Sequence, residues 1–238
     1  MTTNISLERS SCFVSVVSVI ENAEGIVEAF LADMQHHLDE HFTDYEIVLV
    51  DQCSTDATLE NVDRAIKRIP SIRYIRLARP VYFDVALAAG MENAIGDFVV
   101  LFAPGQDPID CVADLVEQSQ AGSDIVVGTA EYAQSLGYRI VRPWLQWLLA
   151  MIGYDLPRNA TNLRCLSRRA VNAVTQTGRF HHQFFVRIAN TGYPSTAFDY
   201  VLLKKRQGRR TLPKAIRQGA RLLVFNSTRP LRWMSGLG

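Results

Sequence analysis

The sequence has no CxxC pair, no Gly-rich phosphate loop and no apolar run of about 18 residues. Each absence removes a class of function. Cys12, Cys53, Cys111 and Cys165 stand far apart, which excludes a thiolate metal cluster and fits a reduced, cytoplasmic chain. Without GxGxxG or a Walker-type lysine loop, dinucleotide binding and P-loop chemistry lack their mechanical parts. The opening MTTNISLERSS carries no apolar h-region, so neither a signal peptide nor a spanning helix is expected. Acids are missing from two places: between Asp97 and Asp107, and everywhere after Asp199.

What is present is a chain of 238 residues with 48% hydrophobic and 21% charged content, enough to bury a sizeable core. Its net charge of +1 conceals an asymmetry. From Tyr200 to Gly238 there are ten Lys or Arg and no acid, while the preceding 199 residues hold 15 basic and 24 acidic groups. An acidic body with so basic an extension calls for an anionic partner of the extension. Nucleic acid is excluded as that partner, because no recognition module is visible and Phe225 and Trp233 are the extension's only aromatics after Tyr200.

The run FVSVVSVI (13–20) is β-branched and continuous, as in a strand covered on both faces. Helical spacing follows over 24–38. Further strands are expected at 46–51, 72–77, 97–102 and 124–128, with helices at 58–69, 85–94 and 109–121 between them. Alternation of this kind gives βαβ units and an open, mostly parallel α/β sheet flanked by helices, Rossmann-like in its use for nucleotides. Such sheets bind ligands beyond the carboxyl ends of their strands, which singles out Asp51 as a ligand contact. The segment 142–157, RPWLQWLLAMIGYDLP, is too short to span a bilayer and is read as core packing under a loop. His37 and His41 have the i, i+4 spacing of metal ligands, but with no third ligand in view they are read as a solvated helix end.

The order of pieces resembles the family 2 glycosyltransferases. EIVLVDQCSTDAT (46–58) is similar to that family's VDDGSTDGT element, and AIGDFVVLFAPGQDP (94–108) to its A-GD-VV-DADLQDP. NLRCLSRRAV (162–171), KKRQGRRTLPKAIR and FNSTRPLR are similar to segments of the polyprenyl-phosphate sugar transferases, the dolichol-phosphate mannose synthase type. The resemblance covers about residues 13–233 in the family's order. It implies a GT-A-like domain over 13–200, preceded by an N-terminal arm (1–12) and followed by a basic extension (201–238). It also implies transfer of a sugar from a nucleotide donor to a lipid-linked or polysaccharide acceptor. In the family Mg²⁺ or Mn²⁺, held partly by the two Asp of a DxD motif, stabilises the leaving diphosphate.

Here the chain departs from the pattern. The DxD acids align with Phe102 and Pro104, and no shift of alignment restores them, because 98–106 has no acid. The resemblance therefore implies no metal site and no cofactor, and no catalytic residue is assigned. The substrate-binding residues it implies are Ser18 on the first strand, Asp51 and Gln52 from VDD, and Gln106 and Asp107 from QDP. To these it adds Arg164 from DFR, with Lys205 and Arg206 as cations for the diphosphate. Two readings follow: a metal-independent or impaired nucleotide-sugar transferase, and a catalytically inactive scaffold that serves a partner transferase or a homo-oligomer at the membrane surface.

From Pro213 to Phe225, Lys214, Arg217 and Arg221 recur along one side, with Ile216, Ala220, Leu223 and Val224 along another. This spacing predicts a basic amphipathic C-terminal helix. Each cation near an anionic leaflet is worth about 1 kcal/mol, and Trp233 suits the interface as an anchor. Peripheral attachment to the inner face of a membrane is the expectation.

Overall fold

A computed structural model describes residues 9–131, 159–176, 184–189 and 191–203. The β-branched runs form the strands. They are β1 (Ser10–Ile20), β2 (Phe42–Asp51), β3 (Ile72–Arg76), β4 (Phe98–Phe102), β5 (Ile125–Thr129), β6 (Ala160–Ser167) and β7 (Ser195–Asp199). Between them lie α1 (Val27–His41), α2 (Thr58–Ile66), α3 (Phe83–Asn93), α4 (Cys111–Gln120), α5 (Arg168–Gln176) and α6 (Phe184–Ala189). One seven-stranded sheet has the order β3-β2-β1-β4-β6-β5-β7. All its pairs are parallel except those that β6 makes with β4 and β5. The expected α/β architecture is therefore present.

Period-two alternation divides the core into two layers. Val14, Val16 and Ile20 of β1, with Ile47 and Leu49 of β2, pack against α1, α2 and α4. Val17 and Val48 face the other way, against α3, α5 and α6. α3 approaches the sheet closely at Gly90, where a Cβ would stand 2.4 Å from Val17 Cγ1 and 2.9 Å from Val50 Cγ2. Any side chain there would push the helix off the sheet.

Element boundaries differ in places from the sequence expectation. β1 begins at Ser10, within the expected arm, because Ser10 pairs with Phe42 across an irregularity before the regular register at Phe13. β2 begins at Phe42 directly after α1, so helix and strand share no loop. His37 is buried, where a solvated helix end was expected; its ring lies tilted against that of His41, with centroids 4.3 Å apart. The segment 142–157 and the basic helix expected at 213–225 lie outside the described residues. Among the described residues, no helix is long and apolar enough to cross a membrane.

Candidate functional site

In this sheet the carboxyl ends of β1, β2, β3, β4, β5 and β7 share one edge, and β6 starts there. Asp51 closes β2 and is fully buried. Its Oδ1 accepts from the Ser54 N–H at 3.0 Å and from the Ser54 hydroxyl. Its Oδ2 accepts from the Tyr74 hydroxyl at 2.7 Å, with Arg76 Nε at 3.7 Å. Burial and the adjoining carboxylate push the Tyr74 phenol well above its ordinary pKa. Asp51 thus pins the turn after β2, where Cys53 takes φ +60. Next to it Gln52, also buried, accepts the Val81 N–H through Oε1 at 3.0 Å and so ties the link after β3 to the end of β2.

A second interlock joins the links after β1 and β2. Asn22 Oδ1 accepts the Thr55 N–H, Glu24 Oε2 accepts the Ala57 N–H, and in return the Asn22, Ala23 and Glu24 amides donate to Ser54, Thr58 and Asp56. Asp56 also accepts the Thr58 N–H at 3.1 Å, at the start of α2. These reciprocal bonds satisfy backbone amides of the two links, which no strand ladder pairs.

At the end of β4 stands Phe102, only 3% exposed. Its ring stacks on Phe30 of α1, centroids 5.7 Å apart and planes 14° from parallel. Pro104 and Gly105 (φ +69) turn the chain. Asp107 is then drawn back under the turn: Oδ2 accepts the Ala103 N–H at 2.9 Å, and Oδ1 accepts the Tyr200 hydroxyl at 2.7 Å. Burial raises the Asp107 carboxyl pKa, opposed by the bonds from Tyr200 and Ala103. Gln106 projects outward, and its carbonyl accepts the Leu203 N–H at 2.9 Å.

Of the residues the sequence pointed to, Asp51, Gln52, Gln106 and Asp107 lie along this edge. Ser18, flanked in register by Leu49 and Phe102, is fully buried below it, and its hydroxyl has no hydrogen-bond partner among the described residues. Arg164 stands apart from them. It pairs in register with Leu101 and Val127, on the sheet face opposite Phe102, and its guanidinium lies 4.2 Å from the Phe185 ring centroid. Lys205 and Arg206 lie outside the described residues. Tyr74, Arg76 and Tyr200 were not singled out from the sequence. Tyr74 and Arg76 close the third strand, beside Asp51, and that position was the available signal; nothing in sequence marked Tyr200.

A divalent metal at the family's position would need hard oxygen ligands. The residues present do not fit one. Phe102 offers a ring turned into the core, Pro104 offers no ligand, and both Asp107 oxygens already accept internal bonds. Among the described residues, no group of three or more His, Cys, Asp or Glu could hold a metal ion.

Comparison with known proteins agrees with the fold. The family model described as Glycosyl transferase family 2 matches residues 15–185. An uncharacterized glycosyltransferase of Synechocystis is 28% identical over 172 residues, 68% of this chain and 52% of that protein. A bactoprenol glucosyl transferase of Shigella phage SfV is 25% identical over 166 residues, again 68% of this chain and 54% of its own. The chain thus spans about half the length of these two relatives. Among solved structures, a mannosyltransferase of Pyrobaculum calidifontis in complex with GDP-Man and Mn²⁺ superposes with a TM-score of 0.61 at 19% identity. That match covers 89% of this chain and 65% of the other.

Proposed function

The chain belongs to glycosyl transferase family 2, and from that premise we propose that it binds a nucleoside-diphosphate sugar without a metal and passes the sugar to a lipid-linked acceptor. The observation that carries this reading is the Leu203 N–H bond to the Gln106 carbonyl at 2.9 Å. It holds the chain at the carboxyl edge two positions before Lys205 and three before Arg206. Basic side chains that start from this point are the groups available to meet a diphosphate where the family would use a metal. Guanidinium and ammonium groups serve that purpose through charge-assisted hydrogen bonds.

In the reaction, an acceptor oxygen forms a bond to the anomeric carbon as the bond from that carbon to the diphosphate breaks. Negative charge then grows on the leaving diphosphate, and fixed cations lower the barrier by meeting it there. Asp51 and Asp107 have both oxygens engaged, so neither is free to act as general base. A phosphate acceptor needs none, since it is already an anionic nucleophile at neutral pH. Relatives named for bactoprenol support a lipid acceptor, and a polysaccharide hydroxyl, which would need a base, fits this edge less well.

Calorimetric titration with UDP, GDP and their sugars, each with and without Mn²⁺, tests the reading. Binding of equal strength in both conditions is expected. Tight binding that requires Mn²⁺ would overturn it.

A second reading has its own observation. The Phe30–Phe102 stack and the locked Asp107 turn former ligand positions into core, as in a glycosyltransferase-like scaffold that has lost turnover and serves a partner. Absence of nucleotide binding at millimolar concentrations would favour it.

A further inference from the structure

We propose that the carboxyl edge of the sheet is a membrane-docking face, and that Ile26, Tyr82, Phe83, Val201 and Leu203 enter the interfacial layer of an anionic bilayer. Among the described residues, six large hydrophobics are well exposed: these five, at 44%, 58%, 38%, 85% and 64%, and Ile95 at 57%. Their distribution follows the topology. Ile26 lies in the link after β1, Tyr82 in the link after β3 with Phe83 opening α3, and Val201 and Leu203 follow β7. All five therefore stand beyond carboxyl ends of parallel strands, whereas Ile95 lies between α3 and β4, at the opposite edge.

Two of the residues are also drawn together in space. Ile26 Cδ1 is 3.8 Å from where a Cβ on Gly105 would stand, and Leu203 donates to Gln106, so Ile26 and Leu203 flank one turn. Single exposed apolar residues are ordinary, but a set confined to one edge of a sheet marks an interaction surface.

Charge selects the occupant. Exposed Glu21, Glu24 and Glu131 share this edge, so the edge itself has no preference for anionic lipid. The ten cations of the extension follow Leu203 in the sequence, from Lys204 onward, and are the groups that would supply that preference. Attraction then comes from the extension and insertion from the loops, two contributions that salt separates: screening weakens the first and spares the second. Docked in this way, the edge that carries Asp51, Gln52 and Gln106 opens towards the lipid surface. The proposal shares the lipid-linked acceptor with the reading above, but its test needs neither nucleotide nor turnover.

The experiment is sedimentation of the full chain with vesicles of phosphatidylcholine containing phosphatidylglycerol, compared with phosphatidylcholine alone. The wild type should partition onto the anionic vesicles at low salt. Ile26→Ser with Tyr82→Ser and Leu203→Ser should lower that partition coefficient about tenfold or more, while Ile95→Ser leaves it unchanged. Leu203→Ser alone should lower it severalfold, which keeps the test readable if the triple variant melts early. Equal partition of edge variants and wild type, or an equal loss in Ile95→Ser, overturns the proposal. So does a wild type that ignores the vesicles; dimerisation that the triple variant abolishes would then assign the edge to a second copy of the chain.

Discussion

The Phe102 ring lies on the Phe30 ring, 5.7 Å between centroids and 14° from parallel, where the family's pattern places a carboxylate. An aromatic pair in that position gains from leaving water and couples the end of β4 to α1. Phe102→Asp with Pro104→Asp should therefore destabilise the protein by about 3 to 5 kcal/mol, the scale of emptying a buried phenylalanine site. A carboxylate left in an apolar core adds to that loss. Thermal unfolding with and without Mn²⁺ checks it. Lower stability in both conditions is expected, and recovery on adding Mn²⁺ would show that the site still accepts a metal.

Asp107 gives a pH dependence of defined sign. Burial raises its carboxyl pKa above the ordinary 3.8, with the bonds from Tyr200 and Ala103 pulling the other way. A raised folded-state pKa contributes stability that is fully present below 3.8 and lost as pH rises through the folded value. Asp107→Asn does not titrate, so it should gain on the wild type as pH increases over that window. Denaturant unfolding at a series of pH values reads the difference. A gap that stays constant, or widens in the wild type's favour, would contradict the assignment.

The first five strands were legible because most of them are dense β-branched runs between turn residues, and a strand covered on both faces needs little else. Gly96-Asp97 shows how specific such signals become in three dimensions. A Cβ at Gly96 would stand 2.7 Å from both Phe13 O and Ser15 N, and Asp97 Oδ2 accepts the Phe13 N–H. The motif therefore fixes β4 against β1. β6 and β7 escaped the sequence reading: β6 enters antiparallel from a distant segment, and β7 is a short edge strand whose sides alternate only weakly. Site residues were legible as positions but not as roles. Asp51 and Asp107 stand where expected, yet their carboxylates hold turns together, because Tyr74 and Tyr200 reach them from 23 and 93 residues away. No local pattern carries partners at that distance.

His37 gives a second pH dependence, of opposite sign. Burial lowers its pKa below 6.5, helped by the charge of His41; Asp110, Glu40 and Asp114 oppose the shift. Its Nε2 is buried with no hydrogen-bond partner among the described residues. A depressed folded-state pKa contributes stability that is present above 6.5 and lost as pH falls towards the folded value. His37→Phe keeps a ring against His41 and removes the titration. Thermal unfolding across mildly acidic pH should show the wild type losing more stability than the variant. Parallel losses would mean that the destabilising protons bind elsewhere.

Lys205 and Arg206 carry the last prediction, because they separate a working donor site from a vestigial one. Leu203 is fixed to Gln106 at the edge where the proposed diphosphate would bind, and Lys205 and Arg206 follow it closely in the sequence. If they clamp the diphosphate, Lys205→Ala with Arg206→Ala removes charge-assisted contacts worth about 1 to 3 kcal/mol, or roughly fivefold to a hundredfold in Kd. The loss should be larger for UDP or GDP than for the parent nucleosides, which carry no phosphate, and should shrink as salt rises. Mn²⁺ should not restore it, since Phe102 and Pro104 offer a metal no ligand. Isothermal titration of wild type and variant against nucleoside, monophosphate and diphosphate makes the comparison. Equal affinity of both proteins for the diphosphate would remove these cations from the donor site, leaving the basic extension to the membrane surface alone.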